Sequence, residues 1–425
     1  MLTQFQETLY FVNGSLGTPP QPILMHLDTG SSDLWVNTPS SALCSKRSQP
    51  CAAAGTYSAN DSSTYSYVGS WFNISYVDGS SAAGDYVSDV IKIGDTTLED
   101  FQFGIGYTSA SEQGILGIGY PINEVQVGRA RMEPYQNLPA KMVTAGLIQS
   151  NAYSLWLNDL DANRGSILFG GVDTAQFSGT LQTVPIQANS GVFSEFKITL
   201  TSLKLGEMMI AEDKALAVLL DSGSSLSYLP DPWVEKIYSK VGAVYDNGDG
   251  AAYVDCKLAS SSDTLDFTFS EPRISVEMNE LVIDMISPGG GRPTFTNGVE
   301  ACLFGIAPAG AGAYVLGDTF LRSAYVVYDL DSDEISLAQT NFNATESNVK
   351  EITGPGEVPG ATKVADPVAA TAGVAPGGGS TNFGVGVSGG SEGEDNAATP
   401  SMKAASATLA AAFALGAWGI VSMLC

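Results

Sequence analysis

The sequence predicts an all-β chain in which two related lobes, 8–185 and 186–341, enclose a cleft. The 425 residues exceed what one hydrophobic core usually holds, so two lobes are expected. Up to about residue 340, short runs rich in Val, Ile, Tyr, Phe and Thr alternate with Gly, Asn, Asp and Ser, a pattern typical of strands and turns. An acidic turn also occurs twice in similar surroundings, which indicates that the two halves are related.

The strand and helix patterns support this fold class. Strands are predicted at 8–12, 71–77, 86–93, 166–169, 193–205 and 324–330. Helices are predicted only at 137–145 and at 232–241, where Pro opens the segment next to an acidic residue. Regular crossover helices of a parallel sheet are absent from the pattern.

The repeated element is an apolar strand that runs into Asp, a small hydroxyl residue and Gly. It reads LDTGSS at 27–32 and LDSGSS at 220–225, and the two acids are 193 residues apart. A glycine after two apolar residues follows each copy, with Gly117 89 residues and Gly317 96 residues after the acid. Such glycines allow a second backbone to approach closely, as a sharp turn requires.

Composition excludes several classes of function. A net charge of −26 argues against nucleic acid or anionic lipid as a partner, and it suits a protein that works in acid, where carboxylates become neutral. His26 is the single histidine and lies in an apolar strand, so we interpret it as a packing residue. No second histidine is present for a zinc site, and no nucleophile elbow accompanies His26, so we expect no metal and no cofactor.

Cysteines and sequons indicate an oxidising compartment. Four of the five cysteines are expected to form two disulfide bonds, Cys44 with Cys51 and Cys256 with Cys302. The alternatives are free thiols or metal ligands. N-glycosylation sequons begin at Asn13, Asn60, Asn73 and Asn343. No basic segment followed by an apolar run opens the sequence, so the secretion signal is expected to lie outside it.

The C-terminal region changes composition. Residues 342–400 are mostly Gly, Pro, Ala, Ser, Thr and Val, which predicts a disordered stalk. The segment 401–425 resembles a signal for attachment of a glycosylphosphatidylinositol (GPI) anchor, because small residues, a short polar spacer and an apolar tail follow one another. Asn396 is the predicted attachment residue, and a retained transmembrane helix is the alternative.

The chemistry of the two turns depends on their meeting in space. Two adjacent carboxyl groups cannot both ionise cheaply, so Asp28 and Asp221 would share one proton. The ionised carboxylate can act as general base on a water while the protonated one polarises a carbonyl. The surrounding residues would support the pair through backbone N–H groups, lobe-to-lobe hydrogen bonds and hydroxyl donors: Gly30, Gly223, Thr29, Ser222, Ser31 and Ser224.

Over residues 8–340 the sequence resembles pepsin-like (family A1) aspartic endopeptidases, in the style of the fungal GPI-anchored yapsin-type members. The motifs that carry the resemblance are DTGSSDLWV from Asp28, ISYVDGS from Ile74, GILG from Gly114, DSGSS from Asp221 and VLGDTFLR from Val315, with FGGVD from Phe169 between the lobes. The resemblance implies a bilobal acid-protease fold and makes Asp28 and Asp221 the catalytic dyad.

The same resemblance assigns further roles. Tyr76 would close over the substrate as part of a flap that includes Gly79, and Trp35 would hold that tyrosine by a hydrogen bond. The two cysteine pairs fall where family disulfides lie. Asp78 stands where fungal relatives that accept lysine before the scissile bond carry an aspartate, although the same residue also favours a hairpin turn.

These observations predict a secreted, cell-surface aspartic endopeptidase that cleaves polypeptides, acts as a monomer and is attached to the membrane by a GPI anchor. The alternative is a catalytically weak or inactive pepsin-like binding or cell-wall protein. Such proteins usually lack a dyad Asp, the flap Tyr or a turn Gly, all of which this chain keeps. A glycosidase with paired carboxylates is a third hypothesis, and it does not require the repeated turn.

Overall fold

The structure is a computed structural model that describes residues 2–5, 9–162, 164–286 and 291–374. The N-terminal strands are β1 (Leu2–Phe5), β2 (Leu9–Leu16), β3 (Gln21–Asp28), β4 (Leu34–Asn37), β5 (Ser66–Ser75), β6 (Ser81–Ile93), β7 (Thr96–Ser109), β8 (Gly114–Gly117), β9 (Ala152–Trp156), β10 (Arg164–Phe169), β11 (Gly171–Asp173) and β12 (Phe177–Pro185). They are followed by β13 (Lys197–Leu200), β14 (Ser202–Leu205), β15 (Met208–Ala211), β16 (Leu216–Leu220), β17 (Ser227–Leu229), β18 (Val244–Asp246), β19 (Ala251–Asp255), β20 (Thr264–Thr268), β21 (Arg273–Glu277), β22 (Val282–Ile283), β23 (Ala301–Phe304), β24 (Ile306–Pro308), β25 (Val315–Leu316), β26 (Ala324–Asp329), β27 (Glu334–Thr340), β28 (Val349–Glu351) and β29 (Ala361–Lys363).

Helices are few and short, as the sequence predicts. They are α1 (Val125–Ala130), α2 (Leu138–Thr144), α3 (Asp231–Val241), α4 (Met278–Leu281) and α5 (Asp318–Leu321), with 3₁₀ turns at Pro50–Ala52, Ala59–Asp61, Pro121–Asn123 and Cys256–Ser260. Thus the two predicted helices are present as α2 and α3. The long strand predicted at 193–205 is wrong, because it is divided at Thr201 into β13 and β14, which belong to different sheets.

The two halves repeat one arrangement, and the predicted bilobal, pepsin-like all-β fold is confirmed. In the first half β3 runs parallel to β8, with Asp28 opposite Gly117, and in the second half β16 runs parallel to β25, with Leu220 opposite Leu316. A Cβ on Gly117 would lie 2.7 Å from the Ser32 nitrogen, and one on Gly317 would lie 2.3 Å from the Leu226 oxygen. Both glycines are therefore required where the strand passes behind the acidic turn.

The sheets connect the lobes. A fourteen-stranded sheet runs in the order β29-β12-β27-β26-β9-β10-β1-β2-β3-β8-β4-β7-β6-β5, and the second half adds a five-stranded sheet, β13-β16-β25-β17-β24, and two four-stranded sheets. Some strands pack into the core through alternate residues and others along their whole length; on β3, Ile23, Met25 and Leu27 are at most 3% exposed, whereas every residue of β26 is buried. A smaller cluster of buried residues, including Trp35, Phe72, Ile74 and Tyr86, lies beneath the hairpin β5–β6.

The predicted boundary of the stalk at residue 342 is wrong. Residues 344–373, which we call the strap, pack along the protein: β28 pairs with β11, and β29 pairs in parallel with β12. Ile352 of the strap is fully buried, and Asp173 accepts hydrogen bonds from Ser347 and Asn348. Composition suggested disorder because the strap has few apolar residues, but open strand edges supply partners for its backbone.

The strap ends beside the strand that leads to the second acidic turn. The Thr371 nitrogen donates to the Ala215 oxygen at 2.8 Å, and the Ala217 nitrogen donates to the Ala372 oxygen at 2.8 Å. Gly373 has a φ of +76°, and a Cβ there would lie 2.6 Å from the Ala217 oxygen. The rest of the predicted stalk, the tail 401–425 and Asn396 lie outside the described residues. Within the described residues, no helix is long and apolar enough to span a bilayer.

Candidate active site

The two acidic turns meet between the lobes. β3 ends at Asp28, and β16 ends one residue before Asp221, so each acid stands at the end of a buried strand. Ser222 is fully buried, and Thr29 is 2% exposed. The sequence therefore predicts correctly that residues 193 positions apart come together.

Hydroxyl groups join the turns symmetrically. The Thr29 hydroxyl donates to the Leu220 oxygen at 3.0 Å and accepts from the Ser222 nitrogen at 2.9 Å. In return, the Ser222 hydroxyl donates to the Leu27 oxygen at 3.0 Å and accepts from the Thr29 nitrogen at 3.2 Å. Four buried hydrogen bonds thus fix one turn against the other, which holds the two acids in register.

Each carboxyl group receives the same set of donors. The Gly30 nitrogen lies 2.8 Å from Asp28 Oδ1, and the Gly223 nitrogen lies 2.8 Å from Asp221 Oδ1. Ser31 donates its hydroxyl to Asp28 Oδ2, and Ser224 donates to Asp221 Oδ2 at 2.8 Å. A Cβ on either glycine would lie 2.5 Å from the carboxyl oxygen of the opposite acid, so no other residue fits there.

The two carboxyl groups lie close enough to hydrogen-bond to each other. Burial raises the pKa of both Asp28 and Asp221, and the charge of Asp28 raises the pKa of Asp221 further. The hydroxyl and backbone donors of each turn oppose this effect on both acids. The pair therefore retains a proton to higher pH than an ordinary aspartic acid does.

The flap is a hairpin formed by β5 and β6. Gly79 stands at its tip with a φ of +82°, and the Gly79 nitrogen donates to the Tyr76 oxygen at 3.1 Å. The Trp35 indole nitrogen donates to the Tyr76 hydroxyl at 2.7 Å, as the resemblance implies. The Tyr76 hydroxyl also interacts with the hydroxyl of Ser31, which links the flap to Asp28.

Asp78 serves the hairpin turn, which is one of the two interpretations that the sequence leaves open. Its carboxylate accepts a hydrogen bond from the Ser80 nitrogen at 2.8 Å, which stabilises the turn. The residue is also exposed, and burial together with the charge of Asp78 raises the pKa of Tyr228 in the second lobe. The charge of the flap carboxylate therefore reaches the second lobe.

A buried acid pair beneath the flap was not predicted from the sequence. Asp33 is fully buried and accepts hydrogen bonds from the Tyr86 hydroxyl, the Tyr135 hydroxyl and the Val125 nitrogen, at 2.5, 3.1 and 2.8 Å. Glu124 is 1% exposed; its Oε2 accepts from the Tyr135 nitrogen at 2.8 Å, and its Oε1 has no partner. Asp33 stands inside the DTGSSDLWV motif, but no pattern around Glu124 marks it.

Burial shifts the titration of this acid pair. It raises the pKa of Asp33 to about 6 and, together with the charge of Asp33, raises the pKa of Glu124 to about 10. Glu124 is therefore neutral at neutral pH although it is an acid.

The remaining predicted sites are placed as follows. The disulfides Cys44–Cys51 and Cys256–Cys302 are formed, as predicted. The sequon residues Asn13, Asn60, Asn73 and Asn343 are all exposed. Among the described residues, no group of His, Cys, Asp and Glu side chains is arranged to hold a metal ion.

Two buried, adjacent aspartic acids at the interlocked turns of two related β lobes, beneath a tyrosine-bearing flap, define the class of pepsin-like aspartic peptidases. The sequence profile of the eukaryotic aspartyl protease family matches residues 9–340. The chain belongs to this family, and the predicted enzyme class, aspartic-type endopeptidase, is confirmed.

Similar proteins are fungal. The chain is 57% identical over 370 residues to the probable aspartic-type endopeptidase opsB of Aspergillus oryzae, which covers 85% of this chain and 75% of that protein. It is 36% identical over 359 residues to secreted aspartic protease 3 of Candida albicans, with coverage of 82% and 83%. It is 31% identical over 437 residues to aspartic proteinase 3 of Saccharomyces cerevisiae, with coverage of 84% and 74%.

Proposed function

We propose that this protein is a secreted aspartic endopeptidase in which Asp28 and Asp221 hydrolyse peptide bonds in acid. The observation that carries the proposal is the hydrogen-bonded pair of buried carboxyl groups at the meeting point of the two turns. One chain supplies both turns, so a monomer is sufficient. The substrates are polypeptides, which membership of the aspartyl protease family implies.

The proposed reaction uses the different protonation of the two acids. Ionised Asp28 takes a proton from a water molecule, whose oxygen attacks the peptide carbonyl carbon. Asp221 gives its proton to the carbonyl oxygen, which forms a tetrahedral diol. Transfer of a proton to the amide nitrogen then breaks the carbon–nitrogen bond and releases the amine and the acid, with no covalent enzyme intermediate.

This mechanism requires exactly one of the two acids to be protonated, so activity depends on pH in both directions. As pH rises through the raised pKa of Asp221, the shared proton is lost and activity falls. As pH falls far enough to protonate Asp28, the general base is lost. The useful range therefore lies on the acidic side of neutrality, which agrees with the net charge of −26.

The mechanism is tested by peptide cleavage at acid pH with Asp28→Asn and Asp221→Asn. Each variant should lose at least about a thousandfold in kcat, because neither can hold the shared proton. Asp95→Ser, which changes an exposed acid in a turn without creating a sequon, is the matched control and should cleave like the wild type. A statine-type transition-state mimic should inhibit the wild type. Cleavage that survives in Asp221→Asn refutes the mechanism, and a wild type that cleaves no peptide supports the alternative of an inactive binding protein.

We also propose that Asp78 favours lysine before the scissile bond, because the charge of its exposed carboxylate reaches the second lobe. Asp78→Ala should lower kcat/KM for a peptide with Lys at that position by about tenfold more than for the matched Leu peptide. Asp78→Ser is the second variant, because its hydroxyl can still accept from the Ser80 nitrogen, and it removes the charge without creating a sequon. Equal losses on both peptides would show that Asp78 serves the turn alone.

Attachment to the cell surface through a GPI anchor at Asn396 is proposed from the sequence pattern. The similarity to secreted aspartic protease 3 of Candida albicans supports export. The test is treatment of cells that express the protein with a phosphatidylinositol-specific phospholipase. Release of the wild type, with no surface attachment of Asn396→Gln, is expected. Retention after phospholipase treatment would indicate a transmembrane helix instead.

A further inference from the structure

The end of the strap, residues 370–373, lies along one edge of β16, the strand that leads to the second acidic turn. On the opposite edge, β13 pairs with β16 from Leu216 to Leu219. On the strap edge, the described strand β25 pairs with β16 in parallel only at Leu219 and Leu220. The beginning of this edge is therefore left to the strap, in which Ala372 forms a parallel bridge with Leu216.

The strap contributes to a row of backbone hydrogen bonds that ends at Asp221. Alternate N–H groups of a strand point to the same side, and on β16 those of positions 217 and 219 point away from β13, as does that of position 221. The donors and their carbonyl acceptors are Ala217 to Ala372 at 2.8 Å, Leu219 to Tyr314 at 2.9 Å and Asp221 to Leu316 at 3.1 Å. The strap thus supplies the first acceptor of a row whose last donor is the catalytic acid itself.

Further contacts hold the end of the strap against both strands of this sheet. The Thr371 nitrogen donates to the Ala215 oxygen, immediately before β16. The Ala370 nitrogen donates to the side-chain oxygen of Gln187 at 2.8 Å, and the Gln187 nitrogen donates to the Lys197 oxygen of β13 at 2.7 Å. The strap is therefore bonded to β16 directly and to β13 through Gln187.

Gly373 shows how closely the strap lies against β16. Its φ is +76°, and a Cβ there would lie 2.6 Å from the Ala217 oxygen and 3.0 Å from the Tyr314 ring. Gly360, an earlier residue of the strap, has a similar φ of +75°, but no atom lies within 4 Å of its Cβ position. The two glycines share one backbone conformation, and only Gly373 is also required by a contact.

We infer that residues 370–373 position the second catalytic turn, so that full activity requires the end of the strap to be docked on β16. This inference rests on the proposed function of Asp28 and Asp221. Release of the strap frees the Ala217 nitrogen and lets the beginning of β16 move, which misaligns Asp221 against Asp28. A misplacement of about 1 Å can cost about a hundredfold in rate. The family profile matches residues 9–340, so this positioning element lies outside the part of the chain that the profile describes.

The first test measures docking by hydrogen–deuterium exchange, in an Asp28→Asn background that prevents self-digestion. Gly373→Val places a branched side chain at a positive φ and against the Ala217 oxygen, so it should release the end of the strap. Exchange of the Ala217 amide should then become at least about tenfold faster. Gly360→Val introduces the same backbone strain without the contact and should leave this exchange unchanged. Unchanged exchange in Gly373→Val, or an equal rise in both variants, overturns the inference.

The second test measures catalysis in the protein with both acids intact. Gly373→Val should lower kcat about tenfold and change KM by less than about twofold, because the strap end positions the acid and leaves the flap untouched. Ile352→Ala is the control for lost stability, because Ile352 belongs to a buried cluster that contains no residue of β16, and its kcat should equal that of the wild type.

Two outcomes of this assay contradict the inference. One is a Gly373→Val protein with fast Ala217 exchange and wild-type kcat, which would show that docking does not position Asp221. The other is an equal fall of kcat in Ile352→Ala, which would show that the strap acts through stability alone. The proposed function stands or falls separately, with the single variants Asp28→Asn and Asp221→Asn.

Discussion

Glu124 is expected to make the protein less stable as pH rises, and replacing it by Gln should remove that effect. The folded pKa of Glu124 is about 10, against 4.5 for an ordinary glutamic acid. Between these values the unfolded chain releases a proton that the folded protein keeps. A folded pKa above the unfolded one gives stability that is complete below pH 4.5 and declines as pH rises, by ~1.4 kcal/mol per pH unit.

The expected size at pH 7 follows from that slope. The 2.5 pH units above 4.5 correspond to ~3 kcal/mol, a large share of the ~5–15 kcal/mol that stabilises a typical domain. Gln preserves the shape and the carbonyl that accepts from the Tyr135 nitrogen. Its amide group then occupies the place of Oε1, which has no partner, and can donate toward Asp33.

The assay is urea unfolding at pH 4.0, 5.5 and 7.0, in an Asp221→Asn background that prevents self-digestion. The free energy of unfolding of Glu124→Gln, relative to the background protein, should rise by about 3 kcal/mol between pH 4 and pH 7. Glu133→Gln is the control, because that acid is exposed and follows α1, the helix that Glu124 precedes. If the unfolding free energies of the Glu124 and Glu133 variants change with pH in the same way as that of the background protein, the reasoning is refuted.

Two further predictions concern the contacts that hold the lobes and the strap. Ser222→Ala leaves the Thr29 nitrogen and the Leu27 oxygen without their side-chain partner, so it should cost about 1–3 kcal/mol of unfolding free energy and lower kcat. Ser222→Thr keeps the hydroxyl and should retain both the stability and kcat. Equal behaviour of the two variants would contradict the role of the hydroxyl. Ile352→Ala should lower the free energy of unfolding in urea by about 2–5 kcal/mol, because the side chain is fully buried. Val349→Ala is the control, because Val349 is exposed. A loss below about 0.5 kcal/mol for Ile352→Ala would mean that the strap adds no stability.

The sequence predicts most of the site because the site is built from local motifs. An acid followed by a hydroxyl residue and glycine fixes the turn, and the later glycines fix the strand behind it, so the repeat alone brings Asp28 and Asp221 together. The flap contact between Trp35 and Tyr76 is similarly carried by motifs that the resemblance interprets.

Other features depend on contacts between distant segments, which no local pattern reports. Glu124 is buried because Asp33, Tyr86 and Tyr135 surround it from three different segments. The strap is read as disordered because its composition is poor in apolar residues, whereas its order comes from strand edges that only the folded body offers.

The strap also fixes how far the end of the described chain lies from the second acidic turn. It runs beside Ala217, at the start of the strand that ends next to Asp221, so Gly373 and Asp221 lie at opposite ends of one strand. Five residues of extended chain separate these ends by roughly 17 Å. A chain that continues from Gly373 would therefore begin well away from a substrate bound at Asp221.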